Sequence, residues 1–97
     1  MNDMNNNRII NIIFDSTNGS IINLAVPVNI KVKDLLLDYA NKIGKDSKDL
    51  WEKFVFLFND CKISINEEKD LISYGLENNC QIRVYDVVNV IGWNSNF

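Results

Sequence analysis

Histidine is absent from this 97-residue chain, proline occurs once and cysteine only twice. Without histidine, the commonest general base, the Ser-His and Cys-His nucleophile pairings and the usual pH switch are all missing. Cys61 and Cys80 do not stand in a C-x-x-C spacing, and with no imidazole to join them they are too few for an ordinary zinc site. Two reduced cytosolic thiols are the expected state. Glu67-Glu68 is a carboxylate pair, but it sits in a solvated charge run, and no Gly-rich phosphate loop occurs anywhere. No catalytic residue, no metal and no cofactor is therefore expected.

Long apolar runs are also missing: no stretch approaches the roughly 18 residues that a membrane-crossing helix needs, so no membrane insertion is expected. The ten Lys and Arg are dispersed among thirteen Asp and Glu, for a net charge of -3. Nucleic acid is a poor fit, because a phosphate backbone is bound by clustered cations. The leading MNDMNNN has neither the basic start nor the apolar centre of a secretory signal. Residues 1–7 read as a disordered lead-in, and the expected location is cytoplasmic.

What is present is ordinary globular usage, 46% hydrophobic and 24% charged. A chain of this length buries roughly 60 to 65% of the surface its unfolded form exposes, enough for one core. In RIINIIFD, residues 8–15, Ile10, Ile12 and Phe14 form one alternating set, the pattern of a strand with a buried face. STNGS follows, where Asn18-Gly19 tolerates the positive φ of a tight hairpin turn. The same Asn18-Gly19-Ser20 matches a glycan acceptor, but the turn is the better reading. IINLAV then places Ile22, Leu24 and Val26 on one face and Ile21, Asn23 and Ala25 on the other, so residues 8–26 predict a β-hairpin.

Pro27 ends the second strand, since it has no N–H for a ladder. From about residue 30 to 43 the period changes: Val32, Leu35, Leu36, Tyr39 and Ile43 make one stripe of a helix, and Gly44 is its C-cap. KDSKDLWEK predicts an irregular connection with at most one short helical turn, its Trp51 packed over the edge of the core. FVFLF, residues 54–58, is a strand near the middle of a sheet, bounded by the turn residues Asn59-Asp60. A short strand over residues 62–65 follows, then a loop with a brief helical turn that turns Leu71 and Leu76 inward. In the last strand, QIRVYDVV, Ile82 and Val84 face one way and Arg83 and Tyr85 the other.

The order β-β-α-β-β-β, an α+β arrangement with one helix packed across a mixed sheet, is that of a β-grasp fold. The residues resemble the ubiquitin-like family over residues 10–87. The resemblance rests on the early Asn-Gly hairpin, the stripe of Val32, Leu35 and Tyr39, the segment FLFNDCKI, and LISYGLENNCQIRV before and through the last strand. It implies a ubiquitin-like domain over residues 8–88, followed by a tail, 89–97. A β-grasp ferredoxin would need four cysteines, and a sulfur carrier of this fold would need a terminal Gly-Gly.

For function, the resemblance implies a non-catalytic module that binds protein partners. In the family the outer side of the third and fifth strands docks short partner helices, and the matching positions are Leu57 and Tyr85, with Val55, Arg83 and Val87 around them. Alternation independently places Val55, Leu57, Arg83 and Tyr85 outward if Phe56, Phe58, Ile82 and Val84 fill the core. An exposed apolar cluster of this kind marks a contact surface unless another segment covers it. Cys61 and Asn78 stand where signalling members carry chain-linking lysines, which argues against the usual polymeric chains. The tail NVIGWNSNF also resembles the single-glycine ubiquitin-fold modifier branch, as do residues 59–66 and LAVP at 24–27. That alternative implies cleavage between Gly92 and Trp93, activating and processing enzymes as partners, and conjugation through Gly92. Against it, the β-branched approach of Val87, Val88, Val90 and Ile91 favours an extended or packed segment over a mobile arm.

Overall fold

The computed structural model describes residues 8–86, with the side chain of Trp51 outside the description. Strands β1 (Ile9–Ser16) and β2 (Ile21–Pro27) form the expected hairpin, in register from Ile9 opposite Pro27 to Asp15 opposite Ile21. Helix α1 (Val32–Lys42) follows, then α2 (Ser47–Lys53), β3 (Phe54–Phe58), β4 (Cys61–Lys62), α3 (Leu71–Tyr74) and β5 (Cys80–Asp86). The sheet order is β2-β1-β5-β3-β4. β5 runs parallel to β1 and antiparallel to β3, so the last strand sits at the centre of a mixed sheet.

The two turns use positive φ differently. Gly19 N–H bonds the Ser16 carbonyl at 3.0 Å and Ser16 N–H bonds the Ser20 carbonyl at 2.9 Å, with Gly19 alone at φ 95°. This is a three-residue loop with a bulge, so Gly19 takes the left-handed position and Asn18 instead accepts from Ser20 N–H through its side chain. Between β3 and β4, Asn59 and Asp60 both lie at positive φ, 53° and 66°, the two-residue turn whose twist matches the strands.

The core forms where α1 lies across one face of the sheet. Val32, Leu35, Leu36, Tyr39 and Ala40 of α1 are buried against Ile10, Ile12 and Phe14 of β1, Phe56 of β3 and Ile82 and Val84 of β5. Leu71 and Leu76 are fully buried, as expected of the loop's two inward leucines. Phe14 and Tyr39 stack with centroids 4.4 Å apart, and the Phe56 ring meets both edge-on at 6.3 and 5.8 Å, arrangements that suit the ring quadrupoles. Helix, hairpin and third strand are thereby joined at one point.

Three expectations change. The connection after Gly44 is a seven-residue helix, α2, rather than an irregular segment. Asp46 and Asp49 cap each other's backbone N–H at 3.0 and 3.2 Å, and Lys53 pairs with Asp49 one turn on. The fourth strand is Cys61–Lys62 rather than residues 62–65. Ile63 still donates to the Phe56 carbonyl at 2.8 Å, but its side chain enters the core, and Ser64 then turns the chain away through bonds from Asn66 and Glu67 N–H. Phe58, the last residue of β3, is only partly buried and packs against the edge of the core. The expectations for residues 1–7, for Val87 and the tail, and for the Trp51 side chain lie outside the described residues.

Candidate functional site

Registry brings four of the five expected docking residues together. Val55 stands opposite Tyr85 and Leu57 opposite Arg83 across the β3/β5 ladder. Directly opposed residues share a face, and alternation sets this face against the core face carrying Phe56 and Val84, both fully buried. Val55, Leu57 and Tyr85 are half-buried rather than fully exposed, since strand neighbours shield part of each side chain. Arg83 is exposed. Val87, Gly92 and Trp93 lie outside the described residues.

Electrostatics adds a member that the sequence pattern did not single out. β5 is parallel to β1 with Asp15 beside Arg83 and Ile13 beside Gln81. The Arg83 Nη1 lies 3.9 Å from Asp15 Oδ2, while Gln81 Nε2 donates to that same oxygen at 2.8 Å. A separation of 3.9 Å is too long for a hydrogen bond, so the guanidinium is attracted toward Asp15 yet keeps its donors for other acceptors. Its carbon lies 5.8 Å from the centre of the Tyr85 ring, within cation–π range. Asp15 was hidden from sequence reasoning because its neighbour in space is 68 positions away, and only the parallel pairing reveals it.

The face therefore offers two aliphatic side chains, a tyrosine ring and a cation flanked by a carboxylate. Such a surface presents apolar contact area with a cation at its margin. Among the described residues no group of three or more Cys, Asp or Glu is placed to hold a metal. Both thiols are free: Cys61 is exposed at the start of β4, and Cys80 Sγ accepts from Glu77 N–H at 3.0 Å. Among the described residues the one strongly displaced carboxylate, Glu68, lies elsewhere, pulled down to about 2 by hydrogen bonds from Lys33 and Lys31 at 2.8 and 2.9 Å. That trio ties the start of α1 to the loop before α3.

A cleft of about 380 Å³ adjoins the face at Val55, lined also by Leu50, Phe54, Ile63 and Ile65. No helix of the described residues is long and apolar enough to cross a membrane.

No family model matches the chain, and no curated protein matches it. Among solved structures, one described as "Molecular Mimicry of SUMO promotes DNA repair" is similar, with a TM-score of 0.64 and 23% identity over 79% of this chain and 90% of that one. At that identity the likeness speaks for fold. The chain has a ubiquitin-like β-grasp fold, α+β with helices against a mixed five-stranded sheet.

Proposed function

We propose that this chain is a non-catalytic ubiquitin-like interaction module of the cytoplasm, whose β3/β5 face docks partner proteins through Val55, Leu57, Arg83 and Tyr85, with Val87 extending the face. The observation that carries the reading is the register, which sets Val55 against Tyr85 and Leu57 against Arg83 on one outer face. Tyr85 is the anchor, because its ring gives a large contact area at little cost in side-chain entropy, and the Arg83 guanidinium beside it favours partners with an acidic margin. The domain spans residues 8–88 and the tail 89–97.

The test replaces Leu57 and Tyr85 together by Asp. Proteins retained from a lysate by the native chain should be lost by this variant, while a Leu37→Asp control on the exposed side of α1 retains them and both variants keep the native far-UV spectrum. If a folded double variant retains the same set as the native chain, this face is not the docking face.

A second reading is favoured by the single glycine in NVIGWNSNF: a modifier cleaved after Gly92, activated there and conjugated through it. Intact-mass measurement of the protein from its own cells discriminates the two. A species ending at Gly92, with heavier adducts, supports the modifier; the unprocessed mass alone removes it.

A further inference from the structure

Only four large hydrophobic residues of the described chain are markedly exposed, and two of them, Ile9 at 55% and Ile72 at 48%, line the same cleft. The cleft holds about 470 Å³ between the start of β1, α3 and the loop before β5. That volume lies within the roughly 300–1,000 Å³ of ordinary binding clefts. Ile10, 2% exposed, forms part of its wall, and Arg8, Glu77 and Asn78 complete it.

The backbone of Ile9 is directed into this space. Val28 N–H donates to the Arg8 carbonyl at 3.0 Å, so Arg8 turns its polar groups toward β2. The next residue must turn its own the other way, and its opposite number in β2 is Pro27, which has no N–H to offer. On that other side β5 begins only at Cys80, opposite Ile12. Asn11, two residues on, has its N–H accepted by Asn78 Oδ1 at 2.8 Å and its carbonyl served by Asn79 N–H at 2.6 Å, so the loop stands in for a strand there. Ile9 has no such partner among the described residues. Arg8 and Glu77, of opposite charge, line the cleft and take part in no ion pair among the described residues.

We propose that this cleft is a second docking site, which takes a short extended segment of a partner protein. The segment's backbone pairs with the N–H and carbonyl of Ile9, one aliphatic side chain enters between Ile9 and Ile72, and flanking acidic and basic residues meet Arg8 and Glu77. Strand addition of this kind supplies affinity through the main chain and selectivity through the pocket. The charge pair makes the selectivity directional, because reversing acidic and basic flanks sets like charges together. Ile9 lies six residues along β1 from Asp15, roughly 20 Å at strand spacing, so the cleft is separate from the β3/β5 face.

The probe is the acetylated, amidated heptapeptide TETVTKT, titrated into the full chain while backbone amide resonances are followed. Saturable shifts are expected at Ile9, Ile72, Glu77 and Asn78. Ile72→Asp in the protein, or valine to aspartate in the peptide, should weaken binding at least tenfold, the charge-reversed TKTVTET several-fold, and Tyr85→Asp not at all. Because Ile72 is half exposed, its variant should keep the native spectrum, and a dispersed spectrum confirms that it does. Absence of saturable shifts at these amides with millimolar peptide would overturn the proposal, as would equal binding by the valine-to-aspartate peptide. Binding that appears only after residues 1–7 are removed would make the chain's own start the occupant. Shifts at these amides that grow with protein concentration alone would make it a second copy. Either result replaces the partner reading.

Discussion

Phe56 and Leu57 are neighbours in β3, yet the reading of the docking face requires them to differ sharply in what they contribute to stability. Phe56 is fully buried and touches the rings of Phe14 and Tyr39, so Phe56→Ala removes a core aromatic and leaves a cavity, at a cost of about 3–5 kcal/mol. Leu57 points to the opposite face and is half-buried. Leu57→Ala, losing most of the transfer free energy of a leucine side chain on an outer face where no enclosed cavity is left, should cost about 1–2 kcal/mol. Against a total stability of roughly 5–15 kcal/mol, the first variant verges on unfolding, and the second loses roughly 4–8 °C in melting temperature for each kcal/mol. Urea unfolding followed by far-UV circular dichroism measures both, and an unchanged slope against denaturant shows that the same surface is exposed on unfolding. A cost for Leu57→Ala approaching that of Phe56→Ala would refute the reasoning. It would mean that another segment covers this face, leaving no free surface for a partner.

Two further outcomes test local features. Asp46→Ala removes the capping box of α2 and should cost about 1 kcal/mol in urea unfolding, with Asp46→Asn recovering most of it. Glu68, held down to about 2 by hydrogen bonds from Lys33 and Lys31, has a folded-state value below its unfolded one. It therefore stabilises the fold above its ordinary carboxylate range, and that contribution fades as pH falls toward about 2. Glu68→Gln should flatten that part of the profile of urea midpoint against pH; an unaltered profile would show that the two lysines do not hold the carboxylate in solution.

Most of the architecture was legible because its signals are periodic. Ile10, Ile12 and Phe14 repeat every second residue, while Val32, Leu35, Leu36 and Tyr39 repeat every third and fourth, and both sets are buried as predicted. The α2 helix was missed because it has no apolar stripe to announce it. Its signal is the spacing of Asp46 and Asp49, a capping box written with two aspartates. The end of β4 escaped notice for another reason: Ile63 and Ile65 keep the alternation of a strand, but bonds from residues 66 and 67 to Ser64 turn the chain. Alternation also assigned Leu57, Arg83 and Tyr85 to the outer face, whereas Asp15 and the cleft at Ile9 depend on which residues of β1 lie beside β5. That is a parallel pairing between segments some 70 residues apart, and no local pattern encodes it.

The parallel pairing also determines how the two proposed docking sites relate. β1 lies between β2 and β5 and is bonded to both, so it resists displacement relative to either neighbour. One site draws on its distal half through Asp15 beside Arg83, the other on its first residue, Ile9. A ligand at either end could alter the other only by shifting β1 against two ladders at once, which would break several main-chain bonds together. Sites about 20 Å apart on such a strand, with no shared side chain, are energetically independent to first order. A protein that engages both gains from tethering rather than from a conformational change, through the raised effective concentration of its second segment. The fixed spacing of the two sites along β1 would thus set the tether length at which two weak contacts act as one stronger attachment.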